Sequence, residues 1–277
     1  LAKFVDSIGQ KLPAMAEGSL SKVELVSRLQ GTPSSLALED LAVKLDDSTF
    51  SGRVAVEDFA KQALRLQLKG DTFDADRYLP AKSEEAKGAT AARQAEIKQQ
   101  EASAVAGAGT TPLPNAPTHV AWSDDKLLPV DRLRALDLQA DLAFGSLTLD
   151  KLPIEDAQLK AIGQGGLLTL QTLRGALYNG TFEAKGTVDV RPAVPQLGVN
   201  TNIQRVPVEH FIKTEGKEQT PPVKGLLTLT SDLTATGNSQ KALVDTLNGT
   251  ANFTINDGVL VNANLEQQLC QAIATLN

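Results

Sequence analysis

Apolar and polar residues alternate strictly in short runs across residues 137–190. The first run of apolar residues at period two consists of Leu138, Ala140, Leu142 and Phe144. Successive side chains of a β-strand point to opposite faces of the sheet, so this alternation predicts strands with one apolar face. Turn-forming residues interrupt the runs, and the region is therefore predicted to be a meander of consecutive antiparallel strands.

Asn179-Gly180 is the strongest turn signal in this region. A two-residue hairpin turn requires backbone φ angles above zero, and asparagine and glycine tolerate them best. Asp150-Lys151 marks another turn between two apolar runs. The sequence therefore predicts tight hairpins, with apolar side chains on the inner face and polar side chains on the outer face.

Similar alternation predicts strands on both sides of this region. They are expected at residues 22–30 (where a helix is the alternative), 36–45, 50–56, 63–70, 197–203 and 223–236 (one strand or a pair). A bulge is expected near Glu39-Asp40 and a turn at residues 46–48. A last hairpin is expected from residues 249–256 and 258–261, with Asn256-Asp257-Gly258 as its turn.

Four short helices are also expected. Residues 3–12 and 264–276 place apolar side chains on one side of a helix. Residues 207–213 begin with Pro207, which the first turn of a helix tolerates. Residues 239–247 begin with Ser239 as an N-cap and end at Asn248-Gly249.

Residues 81–118 differ from the rest because they contain almost no large apolar side chains. Such a segment buries too little apolar surface to offset its ordering entropy, so it is predicted to be an insert or linker. This divides the chain into an N-terminal β segment at 1–80, the insert at 81–118, and a β meander with short helices at 119–277. We favour one continuous sheet from which the insert emerges as a loop.

Composition and charge exclude several classes of protein. The chain has 27 basic and 33 acidic residues and a net charge of -6, which argues against nucleic-acid binding. Its single cysteine, Cys270, rules out an intrachain disulfide. No apolar run approaches the roughly 18 residues that span a bilayer. The chain does not begin with methionine, so we expect any membrane anchor to lie outside it.

The residues for catalysis are sparse. The two histidines, His119 and His210, have no partners in sequence that suggest a site. The acidic pairs Asp46-Asp47 and Asp124-Asp125 lack the further spaced oxygen ligands of a calcium loop and are explained as turn residues. We therefore expect no enzyme activity, no cofactor and no metal; a hydrolase is the weakest hypothesis.

The aliphatic face is the remaining candidate for function, and two interpretations are open. The strands either close into a barrel or sandwich with an ordinary core, or curl without closing and leave an apolar groove. Alternation fits both. The candidate groove-lining residues are Leu38, Leu66, Leu138, Leu142, Phe144, Leu168, Leu170, Phe182, Val188, Leu229 and Phe253.

Several short motifs, in this order, resemble the AsmA family of bacterial envelope proteins. They are Leu12-Pro13, residues 71–80 (DTFDADRYLP), Leu128-Pro129, residues 166–170 (GLLTL), residues 177–180 (LYNG), residues 247–249 (LNG) and Asp257-Gly258. The resemblance covers the chain apart from the insert. The chain departs from it where the family commonly has Gly-Ile-Asp-Leu, since it has Val-Asn-Ala-Asn-Leu at 261–265.

The resemblance implies the periplasmic part of a protein anchored in the inner membrane of a Gram-negative bacterium. It also implies a mostly β fold, with a curled antiparallel sheet that forms an open, taco-like groove, and a few short helices. The expected ligand is a phospholipid or another acyl-chain lipid, shielded or carried between the two membranes. The alternative is a scaffold that assists assembly of outer-membrane proteins through a protein partner.

Overall fold

The computed structural model describes residues 18–79, 123–210 and 223–260. These residues form one sheet of 11 strands. The strands are β1 Val23–Thr32, β2 Ser35–Leu45, β3 Ser48–Asp58, β4 Ala63–Asp74, β5 Asp137–Leu149, β6 Leu152–Gln164, β7 Leu167–Leu177, β8 Gly180–Asp189, β9 Gln196–Pro207, β10 Val223–Thr236 and β11 Asn248–Leu260. The mostly β fold predicted from the alternation is confirmed. Residues 22–30 form a strand, not a helix, and residues 223–236 form a single strand.

The strands follow each other in the sheet in sequence order, from β1 to β11. Every neighbouring pair is antiparallel except β4 and β5, which are parallel. The expectation of an antiparallel sheet is therefore wrong at this one pair. A hairpin reverses the chain between neighbours, whereas the long connection from residue 75 to residue 136 returns to the starting end of β4. The insert predicted at 81–118 belongs to this connection and lies outside the described residues.

The hairpin turns of the central meander use two residues with positive φ angles. They are Asp150-Lys151, Gly165-Gly166 and Tyr178-Asn179. The predicted turn at Asn179-Gly180 is therefore displaced by one residue, because Gly180 already pairs with Leu177 as the first residue of β8. Gly180 is required by close packing, since a Cβ atom there would lie 2.6 Å from the carbonyl oxygen of Gln204.

Bulges interrupt many of the strand pairs and bend the sheet. The bulge predicted near Glu39-Asp40 is confirmed, with Asp40 at a φ angle of 51°. The predicted last hairpin is wrong: residues 248–260 form one strand, and Asp257, at φ 54°, makes a bulge opposite Gly225. The same turn-forming residues serve a hairpin or a bulge, because both accept a positive φ angle.

Two glycines allow neighbouring strands to approach very closely. A Cβ atom at Gly52 would lie 1.9 Å from the carbonyl oxygen of Gln67, and one at Gly249 would lie 2.0 Å from that of Asp232. Their φ angles of 143° and 133° are accessible to glycine but strained for other residues. These contacts, with the bulges, curl the sheet without closing it.

Two short helices lie at one end of the strands. Helix α1 spans Val130–Ala135 and leads into β5; it is not one of the four helices predicted from the sequence. Helix α2 spans Gln240–Asp245 and agrees with the helix predicted there; the Oγ of Ser239 accepts a hydrogen bond from the amide of Ala242 at 3.1 Å. The helix expected at 207–213 is a 3₁₀ turn at Val208–His210 in the part described. The terminal helices predicted at 3–12 and 264–276 lie outside the described residues.

The described part of the chain forms a single layer with a small core. Its fully buried apolar side chains are few, and most of the larger ones are half-buried. The two edge strands, β1 and β11, each have one neighbour within the described residues and do not pair with each other. The structure thus supports an open curled sheet and not a barrel or two-sheet sandwich.

Candidate functional site

Strand register collects the apolar residues into continuous rows across the sheet. One row consists of Leu138, Gly163, Leu168, Val188, Leu197 and Ala235. The next consists of Leu38, Val54, Leu66, Ala140, Ala161, Leu170, Gly186, Val199 and Leu233. Rows of this kind run perpendicular to the strands, so they define an apolar face that extends along the sheet from edge to edge.

The eleven candidate residues predicted from the sequence all lie on this apolar face. The two rows contain six of them: Leu38, Leu66, Leu138, Leu168, Leu170 and Val188. Phe182, Leu229 and Phe253 share a third row through Ile203. Phe144 lies opposite Ala157, and Leu142 lies opposite Leu68 and Leu159. The face is most open at its edges, where Phe253 on β11 is 70% exposed and Leu29 on β1 is 65% exposed.

The apolar residues of β5 are even-numbered up to Phe144 and odd-numbered from Leu147, so the alternation shifts by one residue near Gly145. The apolar side chains beyond this point nevertheless stay on the same face. Phe73 lies opposite Leu147, beyond this point, yet its ring centroid is 5.2 Å from that of Phe50 and 6.0 Å from that of Phe144. Both Phe50 and Phe144 belong to the apolar face and pack over Gly70. One end of the face therefore carries an aromatic cluster, defined as Phe50, Phe73, Phe144 and Tyr78.

A buried carboxylate anchors the chain beside this aromatic cluster. Asp46 accepts hydrogen bonds from the Tyr78 hydroxyl at 2.6 Å, the Ser21 hydroxyl at 2.8 Å and the amides of Lys22 and Leu20 at 2.9 and 3.0 Å. These donors, with that of Tyr78 foremost, hold the pKa of Asp46 well below its usual range. Burial and the nearby Asp46 raise the pKa of Tyr78 to about 12. Asp46 is thus a turn residue, as predicted, and it also links residues 20–22 to Tyr78.

An apolar cavity of about 510 Å³ lies at the opposite end of the face. It is bordered by residues from six successive strands, β5 to β10, and by Leu243, Val244 and Leu247 of α2 and its C-terminal turn. In a flat sheet β5 and β10 would be roughly 24 Å apart, at about 4.8 Å per strand. Residues of both strands border one cavity, so the apolar face is concave across β5 to β10.

Four of the predicted candidates border this cavity: Leu138, Leu168, Leu170 and Val188. The other seven lie farther along the same face. The residues of α2 were not predicted to contribute, although Leu243 and Leu247, four residues apart, would have shown that this short helix has an apolar side. Among the described residues that border the cavity, none is charged.

The outer face of the sheet is polar and carries a ladder of ion pairs. Arg53 pairs with Glu39 at 2.7 Å, and Arg65 pairs with Glu57 at 3.0 Å and with Asp137 at 2.7 Å. This ladder runs from β2 to β5. The two faces of the sheet are therefore chemically distinct.

The residues considered for catalysis do not assemble in the described part of the chain. No group of three or more His, Cys, Asp or Glu side chains that could hold a metal ion occurs there. His210 stacks on Tyr178, with ring centroids 3.6 Å apart. His119 and Cys270 lie outside the described residues. Within that part, no helix is both long enough and apolar enough to cross a bilayer.

An open, curled, single-layer β-sheet with an apolar concave face defines a groove-forming class of β protein. A sequence model of the AsmA family matches residues 1–277, and the chain belongs to this family. Comparisons with curated proteins and with solved structures gave no significant match. The family assignment agrees with the resemblance of the short motifs.

Proposed function

We propose that this protein shields the acyl chains of phospholipids, or of similar lipids, on its apolar concave face. The observation that carries the proposal is a face with continuous apolar rows over β2 to β10 that no second layer covers within the described residues. An apolar surface of this extent is unusual in a monomeric soluble protein and marks a binding surface.

The energetics favour such a role. A lipid with two acyl chains has roughly 30 methylene groups at about 0.8 kcal/mol each, so full exposure to water costs on the order of 20 kcal/mol. A trough of leucine, valine, alanine and phenylalanine side chains removes most of this cost without specific polar contacts. The lipid headgroup stays in water along the open side.

The length of the face also suits lipids. Ten steps between 11 strands at about 4.8 Å give roughly 48 Å along the sheet. One leaflet of a bilayer has a hydrocarbon thickness of about 15 Å, half of the roughly 30 Å core. The face therefore has room for more than one lipid. Because AsmA proteins are associated with the cell envelope, we place this non-enzymatic function in the periplasm, between the inner and outer membranes.

The experiment is mass spectrometry of an organic extract of the purified, detergent-free protein. We expect stoichiometric phospholipid from the wild type and a loss of lipid in Leu170→Glu, which puts a charge on the apolar face. Gln171→Glu is the matched control, since Gln171 is exposed on the other face of β7, and it should retain lipid. A folded wild type without lipid, or a folded Leu170→Glu variant that retains it, would contradict the proposal.

A second candidate function is a scaffold for the assembly of outer-membrane proteins. The unpaired edges of β1 and β11 in the described residues favour it, because an exposed strand edge can add a strand from another chain. This candidate predicts a protein partner and no bound lipid. Site-specific photo-cross-linking from Leu29 and Phe253 in cells would capture that partner, and cross-links to lipid alone would reject the scaffold.

A further inference from the structure

The cavity beside α2 differs from the rest of the apolar face because a helix borders it on one side. We propose that the cavity between α2 and strands β5 to β10 holds a single acyl chain. This inference rests on the proposed function, because it assigns one ligand to one part of the same face. It goes beyond that function in giving one side of the face, at the strand ends beside α2, a defined site, where elsewhere the face is an open surface.

Helix α2 is held over the sheet at both of its ends. At its start Ser239 caps the helix, and Asn238 exchanges hydrogen bonds with the backbone of Leu128 at 2.7 and 3.1 Å. At its end the Oγ1 of Thr246 accepts a hydrogen bond from the amide of Thr236 at 2.8 Å. The same Oγ1 lies 2.7 Å from the carbonyl oxygen of Thr236. These contacts hold α2 against the end of β10, so that it forms a roof on that side of the cavity.

The size of the cavity matches one acyl chain. A methylene group occupies about the volume of a water molecule, roughly 30 Å³ in the liquid. A cavity of about 510 Å³ then has room for on the order of 17 methylenes, which is about the length of one long acyl chain. The second chain of a diacyl lipid would lie outside the roof, on the open part of the face.

The chemistry of the cavity selects the same ligand. Leu168, Val188 and Leu197 form its floor, and Leu243 of α2 and Leu247 of the turn after it border the cavity from the other side. Threonine residues are the most polar residues of the described border, and none of them carries a charge. A ligand with ionic or strongly polar groups along its length would lose its hydration there without compensation, whereas an alkyl chain loses nothing.

The test uses cis-parinaric acid, a single-chain fatty acid whose fluorescence rises in apolar surroundings. The wild type should bind it at one saturable site. Ala235→Phe and Ala161→Phe each place a ring in the cavity and should weaken binding at least tenfold. The matched control is Ala184→Phe on β8, which lies on the apolar face outside the cavity border; it should bind within twofold of the wild type.

A photoactivatable fatty acid gives a second readout that does not depend on substitutions. It should label residues 243–247 in the wild type. Labelling confined to other parts of the face, or wild-type binding in both folded cavity variants, would overturn the proposal. Competition by palmitate alone would identify a free fatty acid as the ligand, and competition by a lysophospholipid as well would identify one chain of a membrane lipid.

The two proposals can fail separately. If phospholipid co-purifies with the wild type but cis-parinaric acid shows no single saturable site, the cavity assignment is wrong and the wider function stands. If the folded wild type binds neither phospholipid nor fatty acid, both are wrong. Loss of fatty-acid binding in Ala235→Phe with retained co-purified phospholipid supports both.

Discussion

The guanidinium of Arg65 on β4 and the carboxylate of Asp137 on β5 join the two parallel strands of the sheet, with Nη1 2.7 Å from Oδ1. Asp137 raises the pKa of Arg65, mainly through this hydrogen bond, and both side chains are largely shielded from solvent. The chain between these strands is long, so side-chain contacts are important for holding them together. This ion pair therefore links two neighbouring strands that a long connection joins and a tight hairpin does not.

Arg65→Met should lower the free energy of unfolding by about 1–2 kcal/mol, because it removes the charge-assisted hydrogen bond to the half-buried Asp137 and also the ion pair with Glu57. Urea denaturation followed by circular dichroism measures the change. Lys160→Met is the control: Lys160 pairs with Asp141 at 3.0 Å, but both side chains are almost half exposed, and the loss should be within about 0.5 kcal/mol. Equal losses in the two variants would contradict a special role for Arg65.

Asp46→Asn should destabilise the protein at pH 7 by roughly 1–3 kcal/mol, because the amide cannot accept all the hydrogen bonds of the buried carboxylate. The folded-state pKa of Asp46 lies below the unfolded value of about 3.9, so its contribution is complete above about pH 4 and is lost as the pH falls. The difference in the free energy of unfolding between wild type and Asp46→Asn should therefore shrink by up to about 1.4 kcal/mol per pH unit below pH 4.

The control for Asp46 is its neighbour Asp47, whose side chain is 97% exposed. Asp47→Asn should leave the urea midpoint nearly unchanged at both pH 7 and pH 3. If the stability difference between wild type and Asp46→Asn is the same at pH 3 as at pH 7, the ionised carboxylate does not stabilise the contacts of Asp46 with residues 20–22 and Tyr78.

Gly52→Ala should cost roughly 3 kcal/mol or more, or prevent folding. The new methyl group would overlap the Gln67 carbonyl oxygen, and the φ angle of 143° is strained for alanine. Gly31→Ala is the matched control on β1, since its Cβ would meet its nearest neighbours at 3.5 Å and its φ angle is ordinary. It should change stability by less than about 1 kcal/mol; thermal unfolding of the two variants side by side decides the question.

Ser239→Ala should cost about 1 kcal/mol, because it removes the N-cap of α2. The effect should be local, so hydrogen exchange should speed up most for the amides of residues 242–247. Ser51→Ala, at an exposed position on β3, is the control and should leave these amides unchanged. If Ser239→Ala speeds up hydrogen exchange equally across the whole sheet, α2 does not unfold separately from the sheet.

The prediction of the apolar face succeeded because alternation is a local property. Whichever strands pair, Leu168 and Leu170 point to one side of β7 and Gln171 points to the other. All eleven candidate residues therefore share one face. The displaced turn at Tyr178-Asn179 and the bulge at Asp257 show the limit of local signals: positive φ angles were predicted in the right regions, but register decides which residue adopts them and what they form.

Most strand regions and the apolar face of the sheet follow from the sequence alone in the described part of the chain. The folded structure is needed to learn that β1 and β11 each keep one unpaired edge in that part, that β4 and β5 run parallel, and that α2 borders the cavity. An open groove and a closed core need the same inward-facing residues, so alternation does not distinguish them. The difference between them arises from bulges, close glycine contacts and long connections, whose effects depend on residues far apart in the chain.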